Sequence, residues 1–153
     1  MLKVKGFSLV EVLVVITIMG IILAIVMYSF SAARSKKQVE IAIDSINFKL
    51  EQAKANAIAG KNGNNFGVQF STTTYVYFSG NSYNPADITN SSSTIEANLQ
   101  ITKNFSDGGS VIIFSRLTGF PQATGTITVT NTSNASSTAR ITIGTLGDIN
   151  MIK

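Results

Sequence analysis

Glu11 is the one charged side chain between Lys5 and Arg34, and it stands at the mouth of a nearly unbroken aliphatic run, Val12 to Met27. A carboxylate in lipid hydrocarbon costs about 2.5–3.5 kcal/mol at the bilayer centre and less towards the edge, so its place calls for either an interface or a partner. The other carboxylates with chemical potential, Asp87, Glu96, Asp107 and Asp148, are isolated from one another in the sequence. They read as turn or surface groups rather than acid–base pairs. Asp107-Gly108-Gly109 is turn-forming and lacks the spaced oxygen ligands of a calcium loop. The chain contains neither histidine nor cysteine, which excludes a catalytic triad, a His-based zinc site and any disulfide. Ser35-Lys36 reads as an interface pair. Lys103, Arg116 and Arg140 are the candidates for nucleic-acid contact, but three separated cations under a net charge of only +4 give little support to a phosphate-binding surface. Tyr75, Tyr77, Phe78 and Tyr83 could stack on bases, although packing accounts for them more simply. Chemistry in the usual sense is absent: the reading is not an enzyme, with no cofactor and no metal.

The elements that carry these residues fall into two kinds. Val12 to Ala33 supplies 22 residues, and roughly 20 apolar residues cross a bilayer core as helix. Arg34, Lys36 and Lys37 mark the return to water. Beyond them Val39, Ile43, Ile46, Leu50, Ala53 and Ala57 alternate at spacings of four and three, one apolar stripe on a helix. Glu40, Asp44, Lys49, Glu51 and Lys54 lie mostly off the stripe. No proline interrupts Phe7 to Ala59, so a continuous helix of 53 residues is expected, ending at Gly60. Gly20 is the weak point of its apolar half.

After the turn-rich Lys61–Asn65 the period becomes two. Phe66–Phe70, Tyr75–Phe78, Ile95–Ile101, Val111–Phe114, Ile127–Val129, Ile141–Ile143 and Ile149–Ile152 read as short strands, with Ser79–Ser93 a loop. Six to eight antiparallel strands result, apolar on one face and rich in Thr, Ser and Asn on the other. Their apolar face needs a cover, and the Val39–Ala57 stripe provides it. The expected fold class is α+β: a long N-terminal hydrophobic helix packed by its distal half against a small antiparallel β-sheet domain.

Gly6-Phe7-Ser8-Leu9-Val10-Glu11 followed by the aliphatic run resembles the N-terminal signature of type IV pilin-like proteins, the pilins and pseudopilins of type IV pili, type II secretion and competence machineries. Phe114 to Pro121, Gly125-Thr126-Ile127-Thr128-Val129, Arg140-Ile141-Thr142-Ile143 and Gly147 are similar to the C-terminal pattern of minor pseudopilin family H and its pilus and DNA-uptake relatives. The resemblance implies a prepilin leader over residues 1–6, a transmembrane and filament-core half over 7–33, an amphipathic half over 34–60, and a β-rich domain outside the cytoplasm over 61–153. It implies cleavage between Gly6 and Phe7 by a prepilin peptidase that also N-methylates Phe7. It makes Glu11 an assembly residue that meets the Phe7 amine of a neighbouring subunit. The implied partners are that peptidase, other pilin-like subunits, an inner-membrane assembly platform, and the lipid bilayer before assembly.

Two departures narrow the expectation. The stretch Gly20 to Ser31 lacks the proline common in major pilins, which leans the reading towards a minor subunit. Asp148 follows Gly147 where DNA-uptake relatives tend to carry arginines, which disfavours DNA as a partner. Competing readings are a DNA-capturing minor pilin and an unrelated anchored or secreted β domain. The secreted form would be cleaved near Ser31 or Ala33, but its hydrophobic core is longer than a signal peptide's and carries Glu11.

Overall fold

The computed structural model describes Gly6 and residues 8–153. One helix, α1 (Leu9–Ile58), takes 50 residues. It begins two residues inside the expected start and stops where Gly60 turns left-handed at φ 60°, a conformation that glycine adopts without a steric penalty. The chain divides after Arg34 into two compact units.

Among its described residues the first unit is helical from Leu9 onward. Leu9–Val26 is long and apolar enough to cross a membrane, and its large aliphatic side chains are exposed throughout. Gly20 lies within this helix with nothing near its α-carbon for a methyl group to meet.

The second unit, Ser35–Lys153, contains the core. Every residue of the expected stripe is buried, with Val39 2% exposed and Ile43, Ile46, Leu50, Ala53 and Ala57 at 0%. Eight strands follow α1: β1 (Phe66–Phe70), β2 (Thr74–Ser79), β3 (Ser91–Thr94), β4 (Leu99–Phe105), β5 (Val111–Phe114), β6 (Gly125–Asn131), β7 (Thr138–Ile143) and β8 (Ile149–Ile152). They form two antiparallel four-stranded sheets, ordered β3-β2-β1-β5 and β4-β6-β7-β8.

The presence of two sheets rather than one follows from the length of the stripe. The 24 helical residues from Ser35 to Ile58 rise about 36 Å, whereas four strands span only about 19 Å across. The polar contacts show how the stripe is shared. Asp44 meets Lys153 just beyond β8, and Gln38 meets Glu96 and Asn98 just before β4. Further along, Ser45 and Asn56 bond the phenol oxygens of Tyr75 and Tyr77 on β2, and Lys49 reaches Ser91 on β3. Apolar side chains from both sheets join the stripe in one core cluster.

Two local readings change. β3 arises inside the expected loop because Ser91-Ser92-Ser93-Thr94 is held by its backbone pairing to β2, which no apolar alternation announces. The strand expected from Ile95 begins instead at Leu99. The Leu99 amide bonds the Glu96 carbonyl at 2.9 Å and closes a turn, while Ile95 is buried ahead of the strand as a separate plug.

Candidate processing and assembly site

The chain enters α1 through Ser8. Its carbonyl accepts the amides of Glu11 at 3.0 Å and Val12 at 3.2 Å, so Glu11 occupies the first helical turn. A carboxylate there interacts favourably with the unpaired N–H groups and positive end of the helix dipole. Ser8 and Glu11 also stand at the Ser-x-x-Glu spacing of a capping box. The bonds seen there are backbone ones only: neither side chain makes a capping hydrogen bond among the described residues. The Glu11 side chain is exposed, and with Val12, Val15 and Ile16 it borders a shallow concavity of about 280 Å³. Gly6 is exposed, with open space where a side chain would be. Phe7 and the leader residues Met1–Lys5, with Lys3 and Lys5, lie outside the described residues.

The candidate cations are not brought onto one surface. Lys103 falls on β4 in step with the buried Leu99, Ile101 and Phe105 and is half-buried. Arg140 on β7 is exposed between buried Ala139 and Ile141, on the opposite face of the same sheet by strand alternation. Arg116 lies in the loop after β5, where its amide donates to Asn65 Oδ1 at 2.7 Å.

The aromatic candidates are structural. Tyr75 and Phe78 are buried, Tyr77 stacks on Phe66 at 5.8 Å, and Tyr83 meets Phe78 edge-on at 5.6 Å. Burial pushes the Tyr77 phenol above its usual range, against the opposing hydrogen bond from Asn56. The carboxylates serve turns and local contacts. Asp87 accepts both the amide and the hydroxyl of Thr89, which hold it below the usual carboxylate range. Asp107 accepts the Gly109 amide, and Asp148 accepts from Asn150. Ser35 and Lys36 form no nucleophile pair: Lys36 faces Glu40 at 4.0 Å. Among the described residues no three acidic side chains gather in a group that could hold a metal ion.

Comparison with known proteins bears on the two ends of this description separately. Residues 1–27 match the prokaryotic N-terminal methylation motif, the class of N-terminus that Gly6, Glu11 and the exposed helix define. Among solved structures, the chain resembles the minor pseudopilin EpsH from the type 2 secretion system of Vibrio cholerae, at TM-score 0.59 and 16% identity, covering 75% of this chain and 96% of that one. It also resembles the type IV minor pilin FimU of Pseudomonas aeruginosa, at TM-score 0.57 and 11% identity, covering 74% and 92%. No curated protein matches the sequence at a significant level. The chain therefore has a prepilin-like N-terminus and a pilin-like α+β fold.

Proposed function

We propose that this chain is a structural subunit, a minor pilin or pseudopilin, of a type IV pilus or a type II secretion-like filament. The observation that carries the reading is the methylation motif over residues 1–27 in register with a helix that exposes its apolar side chains from Leu9 to Val26 and buries only its later stripe. Such a surface requires lipid before assembly and other helices after it. The leader, residues 1–6, is removed between Gly6 and Phe7, and the peptidase methylates the new Phe7 amine. Residues 7–33 hold the subunit in the inner membrane and then the filament core. Residues 34–60 carry the β domain, 61–153, outside the cytoplasm. Glu11 faces the Phe7 amine of a neighbouring subunit, and the assembly platform loads the processed chain.

The mass of the mature N-terminus tests the processing: a chain beginning at methylated Phe7 supports it, and a start after Ser31 or Ala33 makes the protein a secreted β domain. Substitution of Gly6 blocks cleavage. Glu11→Ala inserts normally but enters filaments poorly, and normal incorporation would refute the pairing. DNA capture finds no support in a surface that disperses Lys103, Arg116 and Arg140.

A further inference from the structure

Four large apolar side chains are left uncovered where α1 ends: Ile58 (46% exposed), Leu117 (65%), Phe120 (48%) and Leu146 (70%). Close backbone approaches hold them in one neighbourhood. The Leu117 amide donates to the Ala57 carbonyl at 2.9 Å. Gly119 lies so near Ile58 that a methyl group on it would meet Ile58 Cγ1 at 2.6 Å, and one on Gly147 would meet the Gly119 carbonyl at 2.6 Å. Leu117 itself sits at φ 68°, a left-handed conformation that leucine seldom adopts and that neighbouring structure must enforce. Enforcing it to display a leucine to water adds nothing to the core. The rim of this patch carries three cations, Lys54 beside Gly119, Arg116 beside Gly60 and Lys61 next to Gly60, none of them in an ion pair among the described residues, and one carboxylate, exposed Asp148, turned towards Gly144.

An isologous pairing of two such patches would set like charges against each other. The complementary surface lies on the same chain. The outer face of α1 exposes Ile41 (59%) and Phe48 (64%), seven residues apart and so in one row. Asp44 on that face is taken by Lys153 at 2.7 Å, whereas exposed Glu51 makes no ion pair among the described residues. One surface is thus apolar with a rim of three cations and one carboxylate, and the other is apolar with a free carboxylate.

We propose that the Ile58–Leu117–Phe120–Leu146 patch of one copy docks on the Ile41–Phe48–Glu51 face of α1 in a second copy, with Arg116 opposite Glu51. The contact is head-to-tail, so it does not close and propagates as a filament. Nine residues separate Phe48 from Ala57, which bonds Leu117, so successive copies are offset by about 14 Å along the helix. The inference takes its setting from the filament reading.

The chain has no cysteine, so introduced thiols report cleanly. Full-length Leu117→Cys and Phe48→Cys proteins are produced separately, together, and as one doubly substituted chain, and their membranes are oxidised. Copies carrying one substitution each should cross-link to a dimer only when mixed, and the doubly substituted chain should give a ladder. Adding Arg116→Glu to the Leu117→Cys copy should lower the mixed dimer about fivefold, the effect of a rim charge pair, and Glu51→Arg on the other copy should restore it. Dimers of Leu117→Cys alone, or no mixed dimer, would overturn the contact. Ile16→Cys serves as the assembly control. If it cross-links while the mixed pair does not, the docking is wrong and the filament reading stands; if neither cross-links, both fail.

Discussion

Leu50 and Phe48 are two residues apart on α1 and should behave as opposites. Leu50 is fully buried, and Phe48 is 64% exposed. Leu50→Ala removes three carbons from the interface between helix and sheets, about 2.4 kcal/mol of transfer free energy at about 0.8 per carbon. The space left behind adds a cavity term, bringing the expected loss to roughly 3–4 kcal/mol. Phe48→Ala removes a larger side chain, but only about a third of it is covered, so it should cost about 0.5–1 kcal/mol, partly offset by the better helix propensity of alanine. Denaturant unfolding of the full-length protein in detergent, followed by tyrosine fluorescence, measures both, because Tyr75 and Tyr77 lie at the interface that opens. The midpoint should fall sharply for Leu50→Ala and hardly move for Phe48→Ala. Equal losses in the two variants would mean that the stripe does not face the sheets as described. An undisturbed Leu50→Ala protein would mean that the helix contributes little to the β domain.

Gly147 adopts φ 78°, and a methyl group there would meet the Gly119 carbonyl at 2.6 Å; Gly147→Ala should therefore cost roughly 2–3 kcal/mol in the same unfolding measurement and loosen the β7–β8 turn. The Asp87 pKa lies below its ordinary 3.8 because Thr89 donates two hydrogen bonds to the carboxylate. Its contribution is thus present above pH 3.8 and lost as the pH falls through the lowered value; the Thr89 amide proton resonance should follow that loss, and Asp87→Asn should abolish it. Tyr77 is raised above 10.0, by burial first and against the Asn56 hydrogen bond, so stability is full below pH 10 and declines as the pH rises through the folded value. Tyrosinate absorbance in Asn56→Ala should show a still later titration, since the opposing bond is gone.

The helix was legible because its evidence is periodic. The six stripe residues Val39 to Ala57 could share one face only on a helix, and Gly60 marked its end. Strands with an apolar side, such as β6 through Ile127 and Val129, announced themselves by alternation. β3 had nothing to alternate, since its four hydroxyl residues are held by backbone bonds at a sheet edge. Division into two sheets depends on pairing partners far apart in sequence, β4 with β6 and β1 with β5, which a period of two does not specify. The motif that holds Gly6, Phe7 and Glu11 is local in the sequence, within the matched residues 1–27. The apolar patch around Leu117 could not be read there, because its exposure results from two loops, β5–β6 and β7–β8, converging on the end of α1.

Under the proposed function Glu11 has two roles of very different size. In the first turn of α1 its carboxylate meets the positive end of the helix dipole, an effect of about 0.3–1 kcal/mol at an exposed site. That alone lets the residue sit at a membrane edge without a partner, and it removes the need to treat the charge as a defect. It does not account for the proposed requirement in assembly. In the proposed filament, where the helix leaves lipid for a core of other helices, water no longer screens the carboxylate, and an unpaired charge becomes far more costly than the dipole can offset. A neighbouring amine at that moment turns the cost into selectivity, because only a chain with a free N-terminus at Phe7 can supply it. Removal of residues 1–6 would then act as the licence for polymerisation, and the carboxylate would be the group that checks it.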